Sequence, residues 1–387
     1  MGPLTRLLGV RVLLDVQFWF PTWMIFLLDQ GFSPLEAAAV DAVFNAVVVL
    51  AEIPLGRVVD AIGRKRALIA TCALTSVVFA GIGLAPSFWV MFAIWALWGV
   101  LWALASGVDT TYAWELADQL PGRFSPARYL GRTRLAGGIA GVISLVTAGL
   151  LLEIWAPLPY LVTAGLALIA LPLALSIPDV SRSAQHHLHV TAQSLRDALR
   201  HPAVRSGILL AAIILTAGVS IRIVFQPVGL GLGFSAFGIS IAYGAIALSA
   251  AAGGWLGSRI AAAHRGRWVV LSVALMAGSY LLTALTIHLD SGWATMLVAI
   301  PAGTAAFGMG KTITDIWIIE SVGPRWRATV LSIASAANGL MMVGLRPVLL
   351  LTADSAGDSL AFLLWAAVSV GLCLLCIPLV RAGARAA

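Results

Sequence analysis

Gly56-Arg57-Val58-Val59-Asp60-Ala61-Ile62-Gly63-Arg64-Lys65-Arg66 stands between two long apolar segments, residues 34–55 and 67–85. Each flank is long enough to cross a bilayer, for which about 20 apolar residues suffice. The run therefore reads as a tight charged hairpin between two membrane spans. Gly56 lets one helix end close to another backbone, and Gly63 permits the positive φ of an abrupt reversal. Arg64, Lys65 and Arg66 do not cross lipid, so they fix the side of the membrane on which this loop lies. Asp60 sits among them as an acceptor for a guanidinium or a helix N-terminus.

Composition extends the membrane reading to the whole chain. Of 387 residues, 60% are hydrophobic and 11% charged, and mean hydropathy is +0.97; soluble domains carry about 25% charged residues. Roughly twelve spans emerge: 7–29, 34–56, 67–85, 88–110, 129–152, 158–178, 203–226, 236–258, 268–287, 292–318, 328–351 and 359–380. All are expected to be helical, because an open strand leaves its backbone unsatisfied in lipid. With Arg64 in the cytoplasm both termini lie there too. The outer loops then hold no Lys or Arg; Arg222, Lys311 and Arg346 fall inside spans, and the other basic residues lie at or near inner ends. The net charge of +7 thus reflects the positive-inside rule and not nucleic-acid binding. Trp19, Trp23, Trp155 and Trp293 read as anchors near outer span ends, and Trp114, Trp268 and Trp326 near inner ones.

The longest polar stretch, 179–202, divides six spans from six. The expected organisation is a six-helix bundle over 1–178, a cytoplasmic linker over 179–202 and a second six-helix bundle over 203–387. His186, His187 and His189 read as part of a solvated linker, and Cys373 and Cys376 as small buried hydrophobes, so no metal is expected. The first apolar segment is expected to stay as a span and not be cleaved. Gly31-Phe32-Ser33 recurs as Gly233-Phe234-Ser235, an echo that fits two related halves.

The run 56–66 resembles the loop between the second and third helices of the major facilitator superfamily, Gly-x-Leu-Ala-Asp-Arg-x-Gly-Arg-Lys. Gly56, Asp60, Gly63, Arg64 and Lys65 match; Val58 stands for Leu and Ala61 for the first Arg. The resemblance implies an all-α membrane protein of about twelve helices in two pseudo-symmetric six-helix bundles. It also implies an inner gate: Asp60 facing the start of helix 11, near Arg327-Ala328-Thr329, and Arg64 bonded to an acid on helix 4. Asp109 is the first candidate for that acid and Glu115 the second. Helices 5 and 8 of the superfamily face each other across the halves, and here they carry Gly137, Gly138 and Gly141, and Gly244, Gly253, Gly254 and Gly257.

Ionisable groups inside spans are costly and usually face a bundle interior. Asp41, Asn45 and Glu52 lie at i, i+4 and i+11, within about 40° of one another on a helix. They form a polar face that reads either as a transport route or as a structural seam. Asp15 has Arg11 four residues before it and Asp315 has Lys311, pairs that neutralise within one helix. Asp41, Glu52, Asp15 and Asp315 are the candidates for proton coupling, with Glu52 first. Asp41 and Arg346 form an expected outer-gate pair. Trp19, Thr22, Asn45, Arg222, Gln226, Tyr243 and Asn338 are candidate pocket residues by depth and type.

These readings converge on a secondary active transporter of a small amphipathic organic solute, coupled to protons, with export favoured. Its partners are that solute, the proton and the bilayer, without nucleic acid or cofactor. It is expected as a monomer in the plasma (inner) membrane. A nutrient uptake symporter, or a sensor or lipid scramblase on the same fold, are the competing readings. The chain lacks a Gly-x-x-x-x-Gly-Lys-[Ser/Thr] loop, which argues against a nucleotide-driven pump or an enzyme.

Overall fold

A computed structural model describes residues 2–106, 108–119, 126–179, 200–219, 221–321 and 327–384. The linker histidines and the side chains of Asp60, Trp114, Gly138, Arg222, Trp326, Arg327, Ala328, Thr329 and Arg346 lie outside the described residues. The chain divides into two compact units, Met1–His187 with Ser235–Ile241, and Leu188–Phe234 with Ala242–Ala387. The first half of the chain contributes α1 (Pro3–Asp15), α2 (Trp23–Asp29), α3 (Pro34–Ile62), α4 (Arg64–Leu84), α5 (Phe88–Ala105), α6 (Val108–Gln119), α7 (Pro126–Ile154) and α8 (Leu158–Leu175). The second contributes α9 (Pro202–Val219), α10 (Ile221–Gly231), α11 (Ala236–Ser258) and α12 (Arg265–His288). A helical run from Gly292 with a π turn at Thr295–Ala299 then leads into α13 (Ile300–Ser321), α14 (Arg327–Ala356) and α15 (Asp358–Ala384).

Among the described residues nine helices are long and apolar enough to cross a membrane, and two further apolar helices, Ile139–Ile154 and Pro202–Gly218, are shorter. The first expected span is shared between α1 and α2. Together these make the twelve-helix membrane fold, and α12 and α15 carry the exposed leucines that lipid requires, among them Leu271, Leu275, Leu282, Leu363 and Leu374.

Two expectations need correction. The hairpin at 56–66 is not a loop: α3 runs through Gly56 to Ile62, α4 starts at Arg64, and Gly63 is the single joint, at φ 89° and ψ 155°. At 1.5 Å per residue the 29 residues of α3 extend about 43 Å, well beyond a ~30 Å hydrocarbon layer, so its charged last turns stay helical outside lipid. Gly56 makes no close approach among the described residues, where a Cβ would find no atom within 4 Å.

The first span is not continuous either. Pro21 lacks the N–H that would bond the Gln17 carbonyl, and its ring disfavours helical geometry at Phe20. The Gln17 carbonyl instead accepts from Phe20 N–H at 3.2 Å, and the Trp19 carbonyl from Thr22 N–H at 3.1 Å. Trp19 and Trp23, expected as interface anchors, are buried around this break, whereas Trp155, Trp268 and Trp293 are exposed.

The Gly-Phe-Ser echo is one device used twice. Gly31 (φ 84°) and Gly233 (φ 79°) each end a helix in the left-handed region. Gly31 N–H donates to the Leu28 carbonyl and Phe32 N–H to that of Leu27; Gly233 N–H donates to Leu230 and Phe234 N–H to Gly229. This is the paired Schellman pattern that satisfies terminal carbonyls. The serine then starts the next helix: Ser33 Oγ accepts from Glu36 N–H at 3.3 Å, and Ser235 Oγ from Gly238 N–H at 3.2 Å.

Packing repeats as well. Within the first unit α4 packs on α8 and α5, and α1 on α8 and α7. Within the second, α12 packs on α15 and α13, and α9 on α15 and α14, the same scheme in the same order. The core of the first unit joins Leu7, Val10, Leu68, Cys72, Tyr112, Leu116 and Ile177. The far end of α8 is tied down by Arg6 Nη1 donating to the Ser176 carbonyl at 2.6 Å and Tyr112 Oη to that of Pro178 at 2.7 Å. Burial, with Asp179 and Glu115 adding, pushes the Tyr112 phenol well above its ordinary range. In the second unit, Gly253 and Gly257 of α11 meet the backbone of α13 at Ala305 and Met309, and Gly308 of α13 meets that of Ala250. These small residues are thus spent inside one unit, letting two backbones touch.

Candidate functional site

The break in α1 opens onto a cavity of about 280 Å³ inside the first unit. Its wall is built from five helices, α1, α4, α5, α6 and α8, and the break itself. The end of α1 supplies Arg11, Leu14 and Asp15, and the break supplies Gln17 and Trp19. One face of α4 supplies Leu68, Thr71, Thr75 and Phe79, spaced i, i+3, i+7 and i+11. One face of α5 supplies Trp98, Leu101, Trp102 and Ala105, followed by Ser106, Val108 and Asp109, while Thr163 closes the far side.

Arg11 bridges two acids. Its Nε lies 2.9 Å from Asp15 Oδ2, and its Nη1 lies 3.6 Å from Asp109 Oδ1. The carboxylates are 23% and 15% exposed. Asp15 also ends α1, where the last carbonyls lack intrahelical partners and the helix dipole is negative. Room for its carboxylate comes from Gly137 on α7, where a Cβ would stand 3.0 Å from Oδ2.

Three threonines in the wall have donated their hydroxyl protons to their own helices. Thr71 Oγ1 bonds the Ala67 carbonyl at 2.9 Å, Thr75 Oγ1 that of Thr71 at 2.7 Å and Thr163 Oγ1 that of Pro159 at 2.8 Å. Each presents only acceptor lone pairs to anything else. The aromatic side is tightly packed: Trp19 stands edge-on to Trp98 at 4.6 Å between centroids, and Phe79 lies 5.3 Å from Trp19 and 5.6 Å from Trp98. Trp19 is 4% exposed, and its Nε1–H has no acceptor among the described residues.

Of the expected pocket residues, Trp19 lines this cavity. Thr22 is buried with its hydroxyl turned to the Trp19 carbonyl at 3.4 Å. Asn45 Nδ2 donates to the Asp41 carbonyl at 2.7 Å, within α3. Gln226 and Tyr243 are buried, Tyr243 edge-on to Phe225 at 5.4 Å, and Asn338 Oδ1 accepts from Thr216 Oγ1 at 3.4 Å. Arg222 and the Arg346 half of the outer pair lie outside the described residues. Asp315 is paired with Lys311 at 2.6 Å. Glu52 is partly buried on α3.

Around the charged joint, Arg64 Nε lies 3.5 Å from Glu115 Oε1 on α6. Asp109, first candidate for that contact, is turned to Arg11 instead. Lys65 is partly buried beside Arg64 in the first turn of α4, where a helix N-terminus disfavours cations; Glu115 offsets part of that. The threonine face of α4 and the tryptophan face of α5 are not singled out by the sequence reading, although their spacing is visible in it. Among the described residues no group of three or more His, Cys, Asp or Glu is arranged to hold a metal.

Solved structures share the fold over nearly the full chain. A mutant of the nucleoside transporter NupG superposes with TM-score 0.80 at 14% identity, covering 97% of this chain and 99% of its own. A bacterial homologue of the human lysosomal transporter Spinster, inward-facing and occupied, gives 0.73 at 16%, covering 99% and 96%. A D-xylose–proton symporter gives 0.73 at 15%, covering 97% and 96%. No curated protein sequence matches the chain at a significant level. The Major Facilitator Superfamily model matches residues 10–345, and with its twelve-helix fold the chain belongs to that superfamily.

Proposed function

We propose that this superfamily transporter moves a small amphipathic organic solute by alternating access, driven by a proton gradient and in the direction of export. The observation that carries the reading is the broken first helix, which delivers Gln17 and Trp19 to a cavity beside the Arg11–Asp15–Asp109 cluster. Irregular backbone at membrane depth is tolerated where it lines a cavity, and discontinuous helices commonly build transporter sites. Arg64, with Asp60 and the matched glycines, is the inner latch; Asp41 and Arg346 are the outer one. Both termini lie in the cytoplasm and the chain resides in the plasma membrane.

Glu52 is the coupling site in this scheme. Asp15 and Asp315 are each paired with a cation four residues away on the same helix. Glu52 has no basic residue three or four positions away, and a proton carrier must alternate between charged and neutral states. The D-xylose–proton symporter lends the coupling a precedent on this fold. The test is solute flux into proteoliposomes under an imposed pH gradient. Flux is expected to follow the gradient in the parent and to lose that dependence in Glu52→Gln. Flux indifferent to pH in the parent overturns the coupling, and unchanged pH dependence in Glu52→Gln overturns the assignment.

A further inference from the structure

We propose that the cavity of the first unit holds the charged end of a monovalent organic cation, an ammonium borne on an aromatic body. The proposal rests on the reading that this cavity is the solute site, and it names the class of solute. Three independent features of the wall agree. The described lining carries two carboxylates and one guanidinium, so it is one negative charge in excess, and the carbonyl end of α1 adds to that potential.

The neutral polar groups point the same way. Thr71, Thr75 and Thr163 direct their O–H groups to backbone carbonyls, so their free lone pairs solvate a donor or a cation and not an anion. The rings of Trp19, Phe79 and Trp98 supply the π-rich aromatic surface against which a cation with an apolar skirt is held. A buried donor of the aromatic wall, Trp19 Nε1–H, lacks an acceptor among the described residues. That leaves a place for one ether, hydroxyl or carbonyl oxygen on the solute body. A cavity of about 280 Å³ admits a phenyl ring with a short ammonium arm and excludes a large polar solute. A bound ammonium displaces Arg11 from one of its two acids, and the freed guanidinium stays paired with the other.

The experiment uses the full-length protein in detergent and three probes of one shape: phenethyltrimethylammonium, phenethyl alcohol and phenylpropionate. Binding is read from tryptophan fluorescence excited at long wavelength and confirmed by calorimetry. The cation is expected to bind at least tenfold more tightly than the alcohol, and the carboxylate not to bind. Asp109→Asn should weaken the cation about tenfold without changing the alcohol, and Arg11→Gln should tighten it. Trp98→Leu should weaken both cation and alcohol, and it serves if Asp109→Asn does not fold. Equal affinity for cation and alcohol, tighter binding of the carboxylate, or no binding of any probe to folded parent protein overturns the proposal. Proteoliposome counterflow separates the two readings. Cation-selective binding without flux removes the transport reading alone, and flux without charge selectivity removes this inference alone.

Discussion

Gly63 shows how much one residue decides. Its φ of 89° with ψ of 155° lies in territory that only glycine enters without strain. Among the described residues a Cβ there would meet no atom within 4 Å, so the cost of a side chain is conformational and not steric crowding. Gly63→Ala is expected to cost about 1–3 kcal/mol, read as a lowered thermal midpoint in detergent. An unchanged midpoint would show that the joint tolerates another geometry. Arg64, Lys65 and Arg66 beside it sit at a helix start where their charge is unfavourable.

Elements are legible in the sequence where apolar length decides and hidden where a single residue interrupts it. The spans corresponding to α4, α5, α8 and α12 are long uninterrupted apolar runs, and the structure follows them closely. The break after Asp15 is hidden because the residues around Pro21 are as apolar as the helices they separate. Charge misleads differently: the last turns of α3 look like loop in hydropathy, yet charged residues extend a helix readily once it leaves lipid. The acid opposite Arg64 depends on how α6 turns, which no local pattern encodes; so Glu115 takes the place expected for Asp109. The break is itself testable. Pro21→Ala restores a donor for the Gln17 carbonyl and allows α1 to run into α2. Binding of phenethyltrimethylammonium is expected to fall about tenfold, while the thermal midpoint holds or rises. Unchanged binding would mean that the interruption does not shape the cavity.

At the scale of the molecule, the sidedness inferred from basic residues is open to direct measurement. All three cysteines, Cys72, Cys373 and Cys376, are free and at least partly buried, so a cysteine-free background is a small change. In that background Ser87→Cys is expected to react with an impermeant maleimide in intact cells, and Arg66→Cys only after permeabilisation. Labelling of Arg66→Cys in intact cells would invert the topology and with it the assignment of inner and outer gates. The paired turns are legible because the same tripeptide stops and restarts the chain at 31–33 and 233–235. The cavity is less legible, because its wall is assembled from helices distant in sequence, and among the named pocket residues Trp19 stands in it.

The single-residue link between α3 and α4 has a mechanical consequence. A connector one peptide long spans about 3.8 Å, so it has no slack with which to absorb sliding of one long rod past the other. Any piston-like displacement of α3 is handed to α4, and with it to the threonine row of the cavity wall. The elbow behaves as a stiff crank, and what reaches the cavity wall is rotation about one glycine.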